Sequence, residues 1–152
     1  MTEPDLTVEA QTAEGVRAPV PLDRIEAVVR FVLRREAIAS AEISVTLLDD
    51  AGITRLNEEH LEHEGPTDVI SFPLEGPGDR IVGDLYVGVD QAGRQAAEVG
   101  VTLDEELLRL AIHGTLHVLG HDHPKDGPAE DAPMYRLQEE YLAAFVRGEA
   151  DR

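Results

Sequence analysis

The stretch HGTLHVLGHDH, from His113 to His123, contains four of the six histidines of the chain. His113 and His117 are four residues apart, so on an α-helix both imidazoles project from one face, one turn apart. Gly120 has no Cβ and can take the left-handed conformation that ends a helix and reverses the chain. His123 can then return as a third ligand. The spacing predicts one zinc ion per chain, held by three imidazoles, with a fourth position open for water or substrate.

The spacing H-x-x-x-H-x-x-G-x-x-H is also the skeleton of the metzincin metalloproteases. Those enzymes carry a glutamate directly after the first histidine, where it acts as general base. Here that position is Gly114, which cannot take a proton. Either another group serves as base or none is needed, because coordination alone can lower the pKa of water to about 7. Asp122, beside the last ligand, can orient an imidazole or relay a proton, or it can simply shape the loop.

Composition limits the remaining possibilities. At 152 residues the chain is long enough to bury a substantial core, and we expect a single domain over residues 1–152. It contains no cysteine, so histidines and carboxylates must supply any metal ligands. No signal sequence or run of ~20 apolar residues is evident, which predicts a cytoplasmic protein. The formal net charge of −18 by itself argues against a nucleic-acid partner, because such proteins usually carry a basic surface.

Hydrophobic patterns predict an α/β domain in which the metal-binding helix packs on a four-stranded mixed sheet. Strands are predicted at about 6–11, 43–48, 69–72 and 81–89, with Pro73 ending the third. Helices are predicted at about 21–36, 50–61 and 90–99, after Thr102, and from Pro133 onwards. Thr102 and Glu105 have the spacing of a capping box for the metal-binding helix. The fourth strand is apolar almost throughout, which predicts helices on both faces of the sheet.

A second informative stretch is LNEEHLEHEGPTDVISFP, residues 56–73. Its Gly-Pro turn leads into a strand, which places the side chains of Thr67, Asp68 and Ser71 at a strand edge as candidate substrate-binding groups. Alternatively, Thr67 and Asp68 only hold the turn through bonds to nearby backbone. The stretch also contains His60 and His63. A second metal site there lacks an evident third ligand, so we interpret these two as surface histidines.

Together, PTDVISFP (66–73) and HGTLHVLGHDH (113–123) resemble two motifs of the YbeY family of bacterial ribosomal RNA maturation factors. Leu56-Asn57 before the first motif and Gly83-Asp84 between the two extend the resemblance, which covers about 43–145. It implies a zincin-like α+β fold, a metal held by the three motif histidines, and a cytoplasmic endoribonuclease specific for single strands. The implied partners are single-stranded ribosomal RNA and the small ribosomal subunit, in 3′-end maturation and ribosome quality control.

The chain departs from this family shortly after Leu56-Asn57. The family usually has an aromatic residue followed by an arginine, and this chain has His60 and Leu61. An arginine makes charge-assisted bidentate bonds to phosphate oxygens, which leucine cannot make. This departure favours the first of two alternatives to an endoribonuclease, and the metzincin spacing favours the second. One is a zinc-stabilised, ribosome-associated factor that does not cleave RNA, and the other is a metalloprotease.

Overall fold

The fold is seen in a computed structural model that describes residues 3–60, 67–121 and 133–148. Its elements are β1 (Asp5–Thr12), α1 (Leu22–Arg35), β2 (Ser40–Leu48), α2 (Asp50–His60), β3 (Val69–Leu74), β4 (Ile81–Gly88), α3 (Val89–Val99), α4 (Leu103–Val118) and α5 (Pro133–Val146). The sheet has the order β1-β2-β4-β3. β1, β2 and β4 are parallel and β3 is antiparallel to β4. The predicted α/β class and four-stranded mixed sheet are confirmed.

One face of the sheet is buried under helices. Side chains alternate between the two faces of a strand, and the register pairs Val8 with Ile43 and Val45 with Leu85 on this face. All four are at most 2% exposed. α1 and α4 pack here, and their buried side chains complete a continuous apolar core.

The opposite face of the sheet is polar and more open. It carries Thr46 and Tyr86, which pair in register, and Ser44, whose hydroxyl donates to Asp84 at 2.7 Å. α2 covers only one end of this face, where a Cβ on Gly88 would lie 3.3 Å from Ile53. The prediction of helices on both faces of the fourth strand therefore holds at that end alone. The reason is that burial alternates along β4. Asp84 and Tyr86, on the open face, are only half-buried.

β3 extends through Pro73 to Leu74, so the prediction that Pro73 ends this strand is wrong. Proline has no N–H to give to a neighbouring strand, which excludes it from central strands. β3 lies at the edge of the described sheet and pairs with β4 alone, and Pro73 stands opposite Gly83. An edge strand tolerates proline because the missing donor can be on its unpaired side.

Two glycines allow α4 to lie close against the sheet. A Cβ on Gly83 of β4 would be 2.7 Å from a methyl group of Val118, and a Cβ on Gly114 of α4 would be 2.9 Å from a methyl group of Leu85. Both distances are shorter than a carbon–carbon contact can be. The close approach fixes the height of α4 above β4, and with it the position of the two histidines on that helix.

Candidate metal centre

α4 begins and ends at residues that its sequence specifies. The Thr102 hydroxyl accepts a hydrogen bond from the Glu105 N–H at 3.1 Å, which confirms Thr102 as the predicted N-cap. The Glu105 carboxylate accepts from Arg109 at 3.3 Å. At the other end Gly120 has φ +100°, the left-handed conformation predicted for it.

The reversal after α4 is a Schellman motif. The His121 N–H donates to the Leu116 carbonyl and the Gly120 N–H donates to the His117 carbonyl, each at 3.0 Å. These bonds satisfy two of the last carbonyls of the helix. They also turn the chain back at the point from which residue 123 must return if it is to be a ligand.

His113 and His117 lie side by side on α4, as the four-residue spacing predicts. Their ring centroids are 4.7 Å apart with the planes at 75°, and both side chains are half-buried. Two neighbouring imidazoles fit the nitrogen ligands that zinc prefers. Since the described residues contain no cluster of three metal-ligating side chains, a complete site needs a ligand from elsewhere. His123 and Asp122 lie outside the described residues, so the three-histidine site and the role of Asp122 stay predictions.

The imidazole of His113 is hydrogen-bonded to α5 through its Nδ1. Its Nδ1 is 2.7 Å from Oε1 of Gln138, which is only 4% exposed. The Gln138 amide nitrogen donates to Glu139 at 2.9 Å. Arg109 donates to both carboxylate oxygens of Glu139, at 2.8 and 3.0 Å, and to Glu106 at 2.7 Å. A hydrogen-bonded chain thus connects the interface of α4 and α5 with the first histidine.

This chain of bonds shifts the pKa of its charged members. Burial by itself lowers the pKa of Arg109, but hydrogen bonds and charge attraction to Glu139 and Glu106 outweigh burial and raise it. Burial by itself raises the pKa of Glu139, but hydrogen bonds from Arg109 and Gln138, with the charge of Arg109, lower it overall. Both groups are therefore ionised near neutral pH.

The lowered pKa of Glu139 predicts a loss of stability in acid. The unfolded carboxyl has a pKa of about 4.3, and the folded value lies below the ordinary one. The stabilisation is therefore fully present above the unfolded pKa and is lost as the pH falls through the folded pKa. We expect the difference in unfolding free energy between the wild type and Glu139→Gln to shrink on acidification, as measured by urea unfolding. A difference that stays constant throughout the acid range would contradict this.

A cavity of about 230 Å³ opens beside His113. Its lining includes Asp68, Gln138 and Tyr135, and Tyr135 is 38% exposed. Of the three predicted substrate-binding residues, Asp68 is thus brought to the first histidine. Asp68 also bonds to nearby backbone, which was the alternative to a substrate-binding role. Its Oδ1 accepts the Val69 N–H at 2.7 Å.

Thr67 and Ser71 do not line this cavity. The Thr67 carbonyl packs against the backbone of Gly88, where a Cβ would lie only 2.6 Å away. Ser71 pairs in register with Leu85, on the α4 side of β3. His60 packs its ring edge-to-face with Phe72, with 6.0 Å between centroids, and His63 lies outside the described residues.

Gly114 faces the sheet and is not among the residues that line the cavity. Its missing Cβ would contact Leu85 and Val69, both in strands that α4 covers. A larger side chain such as glutamate would therefore collide with these strands at its Cβ. The glycine that departs from the metzincin pattern is required here for packing, and this does not favour the protease alternative.

Gly114→Ala should destabilise the protein although alanine is the better helix former. Alanine gains about 1 kcal/mol in helix propensity, but the added methyl group would lie 2.9 Å from the fully buried Leu85. Overpacking of this kind costs about 1–3 kcal/mol, so after the gain in propensity we expect a net loss of up to about 2 kcal/mol in urea unfolding. Gly93→Ala in α3 is the matched control. No described atom lies within 4 Å of its Cβ position, and we expect a gain of about 0.5–1 kcal/mol. Equal stabilities of the two variants would refute the packing argument.

A second set of hydrogen bonds fixes His121, the last described residue after α4. His121 Nε2 lies 2.6 Å from one carboxylate oxygen of Glu36, and the Tyr141 hydroxyl donates to the other. Burial and the hydrogen bond to Glu36 raise the pKa of Tyr141, so its hydroxyl keeps its proton. Glu36, just after α1, thus connects the C-terminal end of α4 to α5 through these two hydrogen bonds.

Comparison with known proteins agrees with this geometry. The model of the family described as Endoribonuclease YbeY matches residues 9–146. The chain belongs to the YbeY family. Proteins named Endoribonuclease YbeY from Moorella thermoacetica and Aquifex aeolicus are 42% and 40% identical, over 80% and 79% of this chain and 85% and 80% of their own. The one from Mycolicibacterium gilvum is 35% identical over 93% of this chain and 84% of its own.

The YbeY resemblance drawn from the two motifs is thereby confirmed. The fold is also found in the solution structure of the Thermotoga maritima protein TM1509, with a TM-score of 0.59 and 23% identity, covering 97% of this chain and 95% of that one. None of the described helices combines the length and the apolar character that crossing a membrane demands.

Proposed function

We propose that this chain is a zinc-dependent endoribonuclease that cuts single-stranded RNA. Its role would be to mature the 3′ end of small-subunit ribosomal RNA and to take part in ribosome quality control, in the cytoplasm. The observation that carries the proposal is the pair of imidazoles, His113 and His117, 4.7 Å apart on one face of α4 in a member of the YbeY family.

His113, His117 and His123 would hold the zinc ion. These residues fit a zinc site of the catalytic type. The two described imidazoles are adjacent, and the chain contains no cysteine that would favour a closed thiolate site. When bound, zinc supplies a Lewis acid that polarises a phosphate oxygen and makes water acidic enough to attack near neutral pH.

Residues of the cavity would bind and orient the RNA beside that ion. One oxygen of the Asp68 carboxylate accepts the Val69 N–H, and its other oxygen can accept a hydrogen bond from a ribose hydroxyl or from water. Asp122, next to His123 in the sequence, would relay a proton. The cavity, of about 230 Å³, is smaller than the ~300–1,000 Å³ of ordinary small-molecule sites, so it suits part of a flexible strand.

The exposed ring of Tyr135 supports specificity for single strands. It lines the cavity at His113 and a neighbouring cavity of about 480 Å³ at the ends of α3 and α4. Unpaired bases can stack on such a ring, whereas the bases of a duplex are already stacked. Tyr135→Ala should weaken binding of a single-stranded oligonucleotide by about 1–3 kcal/mol in a fluorescence anisotropy titration. Tyr135→Phe keeps the ring and should bind like the wild type, and equal weakening of both variants would exclude stacking.

The decisive experiment is a cleavage assay. Purified protein of known zinc content is incubated with a single-stranded RNA that carries the small-subunit 3′ end, beside a duplex of the same sequence and a His113→Ala variant. We expect cleavage of the single strand by the wild type, loss of cleavage on chelation, and none by the variant. Equal cleavage by both proteins would point to a contaminating nuclease and overturn the proposal.

A ribosome-associated factor that binds zinc without cutting is the second candidate. It is favoured by Arg109, because this cation lines the cavity but is already engaged by Glu106 and Glu139. Leu61 adds to this, since it replaces the arginine usual in the family. The two candidates separate cleanly. The factor would bind ribosomal subunits or RNA in a zinc-dependent manner and leave the RNA intact.

A further inference from the structure

The hydrogen bonds behind His113 can have only one direction. The Arg109 guanidinium donates and never accepts, so the Glu139 carboxylate accepts from it. Glu139 also contacts the Gln138 amide at 2.9 Å, and an ionised carboxylate cannot donate, so this end of the amide is its NH₂ group. The other end, Oε1, then faces His113 Nδ1 at 2.7 Å and must accept.

The tautomer of His113 follows from that direction. Because Oε1 of Gln138 has no proton to give, Nδ1 of His113 must carry one. A neutral imidazole has one donor nitrogen and one acceptor nitrogen, and the acceptor is then Nε2. Arg109, through Glu139 and Gln138, thus determines which nitrogen of the first predicted ligand can bind a metal.

We propose that Gln138 is a positioning residue that fixes His113 in the Nδ1-protonated tautomer, with Nε2 as its metal-binding atom, and that Glu139 and Arg109 keep the Gln138 amide from flipping. The inference rests on the zinc site proposed above. Gln138 is 4% exposed and the Arg109 side chain 19%, so water competes weakly for these bonds. Partners of this kind, which hold the second nitrogen of a metal-binding histidine, typically change metal affinity by about 10–100-fold when removed.

Zinc affinity of the full-length protein tests this directly, by competition with a chromophoric chelator at neutral pH. Gln138→Met keeps the length of the side chain and removes the acceptor, and we expect zinc to bind about 10–100-fold more weakly. The double variant Gln138→Glu/Glu139→Gln exchanges carboxylate and amide at constant net charge. It restores an acceptor for Nδ1 and an acceptor for Arg109, so affinity should return to within a few-fold of the wild type.

Gln95→Met is the control in the same network, since Gln95 donates to Glu106 at 2.9 Å but lies away from His113. We expect it to leave zinc affinity unchanged. Unchanged affinity in a folded Gln138→Met, or no recovery in the double variant, would overturn the inference. A wild type that binds no zinc would refute the proposed function instead.

The tautomer can also be read without metal or substitution. Long-range ¹H–¹⁵N correlation spectra of the zinc-free wild type distinguish a protonated Nδ1 from a protonated Nε2. We expect Nδ1 of His113 to carry the proton. A neutral His113 with its proton on Nε2 and none on Nδ1 would refute the positioning role even if Gln138→Met failed to fold.

Discussion

His117→Ala is expected to abolish stoichiometric zinc binding while leaving the protein folded. His117 is half-buried beside His113, and its removal leaves His113 as the one imidazole on α4. Zinc sites of the catalytic type use three protein ligands. Losing a ligand should weaken binding by more than the ~10–100-fold typical of an outer partner. Metal analysis after dialysis measures the zinc, and far-ultraviolet circular dichroism checks the fold.

The proposed cleavage of single-stranded RNA should disappear with the zinc. His60→Ala is the matched control, because His60 is exposed on α2 and packs on Phe72. We expect it to retain one zinc ion per chain. Zinc retained at full stoichiometry by His117→Ala would show that the ion is bound elsewhere in the chain.

Arg109→Met is expected to lower the free energy of unfolding strongly although Arg109 lies outside the apolar core. The arginine bonds to Glu106, whose side chain is 7% exposed, and to Glu139, which is 30% exposed. Its removal leaves two carboxylates close together and without their cation. Removing one partner of a fully buried pair costs about 3–5 kcal/mol, and partial exposure here reduces the expected loss to about 2–4 kcal/mol. Urea unfolding measures it.

Arg94→Met supplies a control with the same change of charge. Arg94 also makes a two-pronged bond to a carboxylate, Asp50, at 2.8 and 2.9 Å, but the two side chains are 50% and 38% exposed. Solvent screens exposed pairs, so we expect Arg94→Met to lose much less stability than Arg109→Met. Similar losses for both variants would show that burial does not set the strength of the Arg109 network.

The sequence predicted the parts of the fold that depend on local spacing. The N-cap at Thr102, the helix face shared by His113 and His117, and the reversal at Gly120 each rest on residues within one or two turns of one another. Local patterns were misleading at Pro73 and in β4. In those two cases the outcome depends on whether a strand is at the edge of the sheet and on what covers each face, and neither is encoded within the strand itself.

The support behind His113 could not be predicted from the sequence. Gln138 lies 25 residues beyond His113, and Glu139 lies 30 beyond Arg109. Their contacts depend on how α5 crosses α4, which many different sequences would allow. The one available signal was a polar residue, Gln138, on the face of α5 that also carries Tyr141 and Leu142, both buried. A polar side chain on an apolar face indicates a buried partner but does not identify it.

Pro73 has a consequence for what the β3 side of the molecule can recognise. Enzymes and adaptor domains that handle extended peptides commonly capture them by strand addition, in which main-chain donors and acceptors of a free edge bond to the peptide backbone. In β3 (Val69–Leu74) that row of donors is interrupted at Pro73, which has no N–H. A polypeptide laid along this edge would lose a rung of its ladder, whereas a nucleic acid strand, held through phosphates, sugars and bases, needs no such ladder.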